Sequence, residues 1–199
     1  MSLAWVNAAV IVPDNPRRHP SLNMKSVQGP QASPVRSATA KGVLCTIALG
    51  SNLGDSLTIL KEALKILGDT PGVVVQKCSS WYQTAPVGPP QPDYLNACAL
   101  LEVQLTPLEL LETLLGIEAK FGRVRQERNG PRTLDLDLLL FDDLILDIPN
   151  LQIPHPRMRE RAFVLVPLAE IAPNWIEPVS GKAIAQLVQK VDCSGVQRL

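Results

Sequence analysis

The chain has 199 residues, enough for one domain with its own hydrophobic core. Its 19 Lys and Arg balance its 19 Asp and Glu, but residues 1–42 hold five basic residues and one acidic residue, so the remainder is acidic. An acidic body argues against general nucleic-acid binding, which needs a positive surface, and no apolar run reaches the roughly 18 residues of a membrane helix.

Residues 1–42 are expected to be a disordered leader, because they contain five prolines and no sustained periodicity. An organellar transit segment, an over-extended reading frame and an engineered start are open alternatives. Residues 43–199 are expected to form a single domain. None of the cysteines has metal-site spacing, and we expect reduced thiols of a cytoplasmic protein, the first three in the core. The cysteines are Cys45, Cys78, Cys98 and Cys193.

The first half of this domain begins with an apolar strand at Val43–Leu49. A Gly-rich turn, 50–54, leads into a helix from about Ser56 to Leu67 that Asp55 can cap. The turn is only a weak indication of phosphate binding, because it lacks a Walker lysine. A second strand follows at Val73–Ser79.

A proline-rich stretch, Gln83–Pro92, is predicted to be a loop, since four prolines exclude a helix or a central strand. A third strand runs from Tyr94 to Val103, and alternation places Tyr94 and Asn96 on one face. From the residues alone, Tyr94 is best interpreted as a partly buried core tyrosine.

The second half repeats the order of the first. Thr106-Pro107-Leu108-Glu109 is typical of a helix start with a capping box, and the helix should end near Phe121. From the residues alone, Glu118 on this helix is expected to be a charged side chain in contact with solvent. After the Gly130-Pro131 turn, Leu134 to Leu138 alternates as a strand does.

Alternation on this last strand places Asp135 and Asp137 on one face, with leucines on the other. Two nearby carboxylates repel each other unless a cation lies between them, and a small oxygen-only ligand set favours Mg²⁺. Nearby guanidinium groups suit phosphate oxygens. The pattern therefore indicates phosphoryl transfer on a nucleotide, although an amphipathic strand with solvated aspartates is the alternative. The arginines are Arg123, Arg125 and Arg132.

The C-terminal part begins with a rigid Pro154-His155-Pro156 segment, in which His155 is either a site residue or a plain turn residue. A short helix is predicted from Met158 to Ile171, interrupted at Pro167, and a last one near Lys182–Val191.

Taken together, the elements predict an α/β fold, a two-layer α+β sandwich with a ferredoxin-like βαββαβ sheet and extra C-terminal helices. Both main helices should cover one face. The opposite face should stay open and carry the two aspartates.

Five motifs in residues 43–175 resemble the 6-hydroxymethyl-7,8-dihydropterin pyrophosphokinases of folate biosynthesis. They are I-A-L-G-S-N-L-G (47–54), T-A-P-V-G to P-D-Y-L-N (84–96), I-E-A-K-F-G-R-V-R (117–125), G-P-R-T-L-D-L-D (130–137) and P-H-P-R-M-x-x-R-A-F (154–163). The resemblance implies that ATP gives its β,γ-diphosphate to the hydroxymethyl oxygen of the dihydropterin and that AMP leaves. We also expect a cytoplasmic monomer that binds neither nucleic acid nor membrane.

The resemblance further implies roles for individual residues. Two Mg²⁺ ions would be held by Asp135 and Asp137, and Arg123 and Arg132 would clamp phosphates as catalytic residues. The pterin would stack between Tyr94 and Phe163. Its hydrogen-bonding edge would meet Thr84, Ala85, Val87 and Asn96. The implied ATP-binding residues are Glu118, Arg125, Leu138, His155 and Arg161.

The loops 83–92 and 123–132 are expected to close over the substrates as lids. The chain departs from some family members at Gln126, Asn129 and Pro156, which affects the expected lid closure and nucleotide packing. Three alternatives stay open from the residues: an RNA-binding module on the same topology, a two-metal nuclease or nucleotidyl transferase, and a regulatory module that binds ATP without turnover.

Overall fold

The computed structural model describes residues 42–86, 90–123 and 130–199. The predicted leader, except for Gly42, lies outside the described residues, as do Val87, Arg125, Gln126 and Asn129. Within the described part of the chain, no helix is both long enough and apolar enough to cross a membrane.

The described chain alternates strands and helices in the predicted order, with several short strands added. In chain order the elements are β1 (Val43–Ser51), α1 (Ser56–Gly68), β2 (Val73–Cys78), β3 (Tyr82–Thr84), β4 (Tyr94–Val103), α2 (Pro107–Lys120), β5 (Asp135–Phe141), β6 (Leu146–Ile148), β7 (Leu151–Ile153), a 3₁₀ turn (Met158–Glu160), α3 (Ala162–Ile171), β8 (Ile176–Glu177), β9 (Lys182–Ala183), α4 (Ile184–Val188) and β10 (Val196–Arg198).

The main sheet confirms the predicted ferredoxin-like arrangement. β1 lies between β4 and β5 and is antiparallel to both, and β2 pairs with β4 on the far side. The strand order β5-β1-β4-β2 and the element order βαββαβ are those of the split βαβ motif.

The two main helices begin at the predicted caps. Asp55 Oδ1 accepts a hydrogen bond from the Thr58 amide at 3.2 Å at the start of α1. Thr106 and Glu109 form a reciprocal capping box at the start of α2. Both helices bury their apolar stripes on one face of the sheet, against strand residues such as Ile47 and Leu101.

The opposite face is not open along its whole length, which corrects the expectation from the sequence. α3 packs across β4 there, and Val164 and Leu165 lie in a second core cluster with Cys98. The helix also continues through Pro167, where an interruption was predicted. The proline costs one backbone hydrogen bond, but its ring is buried with the apolar side chains that hold this short helix on the sheet.

Two short strands at one side of the main sheet are additional to the predicted elements. β3 pairs with the first residues of β4 and overlaps the start of the predicted loop 83–92, and β10 pairs with β3 and forms the edge. The cysteine prediction also needs one correction. Cys45 and Cys98 are buried as expected, whereas Cys78 is exposed at the end of β2.

Glu170 on α3 fixes the start of β3. Its carboxylate accepts hydrogen bonds from the Ser80 amide at 3.0 Å and from the Tyr82 hydroxyl at 2.8 Å. Burial raises the pKa of Tyr82 to about 12, and the hydrogen bond to Glu170 adds to this effect. Burial would raise the pKa of Glu170 as well, but the hydrogen bonds from Tyr82 and Ser80 outweigh it and lower that pKa.

We expect Glu170→Gln to lower the free energy of unfolding at pH 7, on the order of 1 kcal/mol, because charged acceptors form the stronger hydrogen bonds. Since folding lowers the pKa of Glu170, the difference should be complete above the ordinary glutamate pKa of about 4.3 and should disappear as pH falls through the lower folded value. Urea unfolding between pH 3 and pH 7 measures it, with the exposed Glu112→Gln as control. A difference that grows toward low pH would contradict this account.

Candidate active site

The two aspartates of β5 share one face of the sheet, as predicted. Asp135 lies opposite Gly50 of β1 and Asp137 lies opposite Ala48, while Leu136 and Leu138 are buried on the other face. Both carboxylates therefore project from β5, an edge strand of the sheet, toward the face on which α3 packs.

Asp135 is held between two guanidinium groups. Arg123 Nη2 lies 2.6 Å from Asp135 Oδ1, and Arg132 Nη1 lies 2.8 Å from Asp135 Oδ2. Arg123 also contacts Glu118, which is 3% exposed and accepts a hydrogen bond from the Leu136 amide at 2.7 Å. The prediction of a solvated Glu118 is wrong, because the arginine and the β5 amide compensate the carboxylate for its burial.

Asp137 has weaker partners. Arg161 Nη1 and His155 Nε2 lie 3.5 Å and 3.8 Å from Asp137 Oδ2. Burial, and then the charge of Asp135, raise the pKa of Asp137, while His155 and Arg161 oppose this. Burial lowers the pKa of His155, and its Nδ1 accepts a hydrogen bond from the Arg157 amide, so the neutral ring carries its proton on Nε2, facing Asp137.

The carboxylate oxygens of Asp135 and Asp137 are the type of ligand that Mg²⁺ prefers. The two carboxylates provide only oxygen ligands on one open face, and among the described residues no group of three or more His, Cys, Asp or Glu could hold a metal by itself. An ion bound between Asp135 and Asp137 would take its other ligands from water and phosphate, as Mg²⁺ does.

A first cavity of about 400 Å³ extends from these carboxylates across the sheet. Its floor is the face of β4 and β3, and its other side is the start of α3. It brings together the following site residues predicted from the sequence: Thr84, Ala85, Tyr94, Asn96, Arg132, Asp135, Asp137, Arg161 and Phe163.

Polar groups are fixed on the cavity floor. Asn96 Nδ2 donates to Thr84 Oγ1 at 2.7 Å, and both residues are buried. Tyr94 is half-buried, and its hydroxyl donates to the Gly130 carbonyl at 3.2 Å. Gly50 leaves space between them, since a Cβ there would lie 3.1 Å from Asn96 Oδ1. Phe163 lines the cavity on the α3 side, and the Arg161 guanidinium lies 5.5 Å from its ring centre.

A second cavity of about 270 Å³ lies beyond the outer edge of β5, between α2 and the segment that follows β6. Five predicted site residues line it: Glu118, Arg123, Asp137, Leu138 and His155. Asp137 lines both cavities. The arrangement can therefore hold two ligands side by side, with a carboxylate at their junction.

Asn52 was not predicted as a site residue, but it joins the bases of both predicted lids. Its Nδ2 donates to Gln91 Oε1 and to the Pro92 carbonyl, and its Oδ1 accepts from the Arg132 amide at 2.8 Å. The G-S-N-L-G turn is the available signal in the sequence, although by itself it is only a weak indication of phosphate binding. Residues 87–89 and 124–129, in the middle of the two loops, lie outside the described part of the chain.

The family model described as 7,8-dihydro-6-hydroxymethylpterin-pyrophosphokinase (HPPK) matches residues 46–173. A 2-amino-4-hydroxy-6-hydroxymethyldihydropteridine pyrophosphokinase from Synechocystis is 55% identical over 150 residues, which are 75% of this chain and 77% of that protein. A protein of the same name from Methylorubrum extorquens is 44% identical over 154 residues, which cover 77% and 96%.

Solved structures agree in fold. A crystal structure of an HPPK-DHPS in complex with substrates has a TM-score of 0.61 and 12% identity, and a Plasmodium falciparum HPPK-DHPS has 0.60 and 14%. The matches cover 75% and 77% of this chain but only 43% and 46% of those longer proteins. At such identities the likeness shows the fold alone.

The unequal pairing of the two aspartates predicts opposite effects on stability. In metal-free buffer at pH 7, Asp137→Asn should raise Tm by roughly 2–4 °C, because it removes a partly buried charge that Asp135 repels. Asp135→Asn should lower Tm by a similar amount, because it leaves Arg123 and Arg132 without their carboxylate. Calorimetry of the two variants measures both shifts. Equal shifts of the same sign would mean that the two carboxylates are equally well paired.

Proposed function

The chain belongs to the 7,8-dihydro-6-hydroxymethylpterin-pyrophosphokinase family, and we propose that it transfers the diphosphate of ATP to 6-hydroxymethyl-7,8-dihydropterin. As a member of the family it is a pyrophosphokinase, a transferase of folate biosynthesis that acts on small molecules. The observation that carries the proposal for the site is the pair of adjoining cavities with Asp137 at their junction.

In the proposed reaction the hydroxymethyl oxygen attacks the β-phosphorus of ATP. The bond from that phosphorus to the bridging oxygen of the α-phosphate breaks, and AMP leaves with the bond's electron pair. The hydroxymethyl proton is released, and the product is the pterin diphosphate. Positioning and charge stabilisation carry most of the catalysis in such transfers.

We assign the first cavity to the acceptor. Tyr94 and Phe163 both line this cavity, and a flat bicyclic ring would stack between them, which is favourable for such a ring. Thr84 and Asn96 present a fixed pair of hydrogen-bonding groups to its edge. Ala85 lines the same cavity. Val87 is assigned only from the resemblance, because it lies outside the described residues.

We assign the second cavity to ATP. The leucines that line it, Leu138 among them, would offer an apolar surface to the adenine. His155 and Arg161 flank Asp137 near the junction of the two cavities, where the phosphates would lie. Arg123 and Arg132 are held beside Asp135, close enough to turn toward phosphate oxygens as charge shifts onto them. Glu118 fixes Arg123. The ATP-binding role of Arg125 is assigned from the resemblance alone.

Asp135 and Asp137 would hold two Mg²⁺ ions, which when bound neutralise phosphate charge and favour attack at phosphorus. This chain's residues hold the carboxylates on one face and bring guanidinium groups to them. We further propose that the enzyme acts as a monomer in the cytoplasm. Four free cysteines support a reducing compartment.

The direct test incubates the purified chain with Mg²⁺, ATP and 6-hydroxymethyl-7,8-dihydropterin. We expect equal amounts of AMP and pterin diphosphate, and no AMP when the pterin is omitted. Formation of ADP in place of AMP would contradict diphosphate transfer. AMP formation that does not depend on the pterin would identify a hydrolase.

Asp137→Ala should reduce kcat by at least about a thousandfold, because the carboxylate at the junction of both cavities is removed. The exposed Asp143→Ala, also acidic and just beyond β5, is the matched control and should retain wild-type activity. AMP release under saturating substrates measures both variants. If Asp137→Ala kept most of its activity, this carboxylate would not be a metal ligand.

Arg132→Ala should lower kcat more than it weakens ATP binding, because a guanidinium that stabilises charge formed during transfer contributes mainly in the transition state. Steady-state kinetics combined with equilibrium titration of ATP separate the two effects. An equal loss in kcat and in ATP affinity would mean that Arg132 only binds the ground state.

A further inference from the structure

The segment Asp192–Arg198 lies outside residues 46–173, which the family model matches, and yet it lines the first cavity. Asp192, Gly195 and Val196 all contribute to its wall. The reaction proposed above gives this segment no role.

Pairing with β3 fixes the position of the segment. Val196 lies opposite Thr84 in β10, and the Leu199 amide donates to the Trp81 carbonyl at 2.9 Å. Arg198 Nη2 lies 3.7 Å from Glu170 Oε1, on the side of α3. Because side chains alternate along a strand, Val196 faces the same side as Arg198, which is the side of the cavity, and Gln197 faces away.

The strand order places β10 at the end of the cavity that is remote from the carboxylates. From β5 the sheet continues through β1, β4 and β3 to β10. An acceptor whose reacting group lies at Asp135 therefore points its opposite edge toward β10.

We propose that Val196 determines acceptor specificity by closing this remote end of the cavity. The inference rests on the proposed function, which orients the ring. In the relatives' name the hydroxymethyl group is at position 6, and the 2-amino and 4-hydroxy groups are on the other ring, which would meet Thr84, Asn96 and Val196. The valine side chain offers contact but no hydrogen bond, so a substituent on the 2-amino group is excluded by its bulk.

The test compares Val196→Ala with Gln197→Ala, its neighbour on the opposite face of β10. We expect Val196→Ala to raise the KM for 6-hydroxymethyl-7,8-dihydropterin about fivefold, because methyl contacts to the ring edge are lost. The KM for ATP and kcat should stay unchanged. The same variant should accept an acceptor with an ethyl group on the 2-amino nitrogen at least tenfold better than the wild type does.

Gln197→Ala should match the wild type in every one of these measurements. The proposal is overturned if Val196→Ala behaves like Gln197→Ala, or if the KM for ATP rises as much as the KM for the acceptor, since a general loss of structure would affect both. Thermal unfolding of both variants accompanies the kinetics.

An equilibrium titration of 6-hydroxymethylpterin without ATP, followed by its fluorescence, separates this proposal from the proposed function. If the wild type binds the pterin but releases no AMP, the proposed function fails, and weaker binding by Val196→Ala than by Gln197→Ala still supports the role of Val196. If the two variants bind equally, or if the wild type binds no pterin, the role of Val196 is overturned.

Discussion

Two carboxylates that leave the same face of one strand, two residues apart, set the constraint on which the site depends. Both are partly buried, so their mutual repulsion must be offset from nearby. The chain offsets it unequally. Asp135 accepts from two guanidinium groups at hydrogen-bonding distance, while Asp137 has only longer contacts to Arg161 and His155. Asp137, the less well compensated of the two carboxylates, thus lies where the two cavities meet.

An irregularity in β5 lets one strand serve both the site and the core. The pairing with β1 shifts by one residue after Leu138, so that Leu140 lies opposite Thr46. The shift is a β-bulge, in which an extra residue changes which face the later side chains meet. Leu139 and Leu140 consequently both lie in the core cluster that contains the apolar side chains of α3, whereas the aspartates before them line the cavity. α3 can then begin at the cavity, where Arg161 and Phe163 become part of the wall.

Features encoded by local pattern were predictable from the sequence, and features decided by distant partners were not. Alternation fixed the faces of Asp135 and Asp137, and the capping box at Thr106 located α2. By contrast, β10 has three residues, too few for any periodicity, and forms only because β3 offers it an edge. The burial of Glu118 depends on Arg123 and on the β5 amide of Leu136, a long-range arrangement that no helix pattern contains.

The two carboxylate partners of Arg123 would let this arginine serve the site both before and after a metal ion binds. Arg123 contacts Glu118 and Asp135 together, and Glu118 is the more deeply buried of the two carboxylates. In the proposed reaction, a cation bound at Asp135 would compete with the guanidinium there, whereas the contact with Glu118 uses the other terminal nitrogen and would persist. Arg123 would then keep its position while part of its donor set became available for phosphate. The buried Glu118 therefore fixes the position of the Arg123 charge beside the two aspartates.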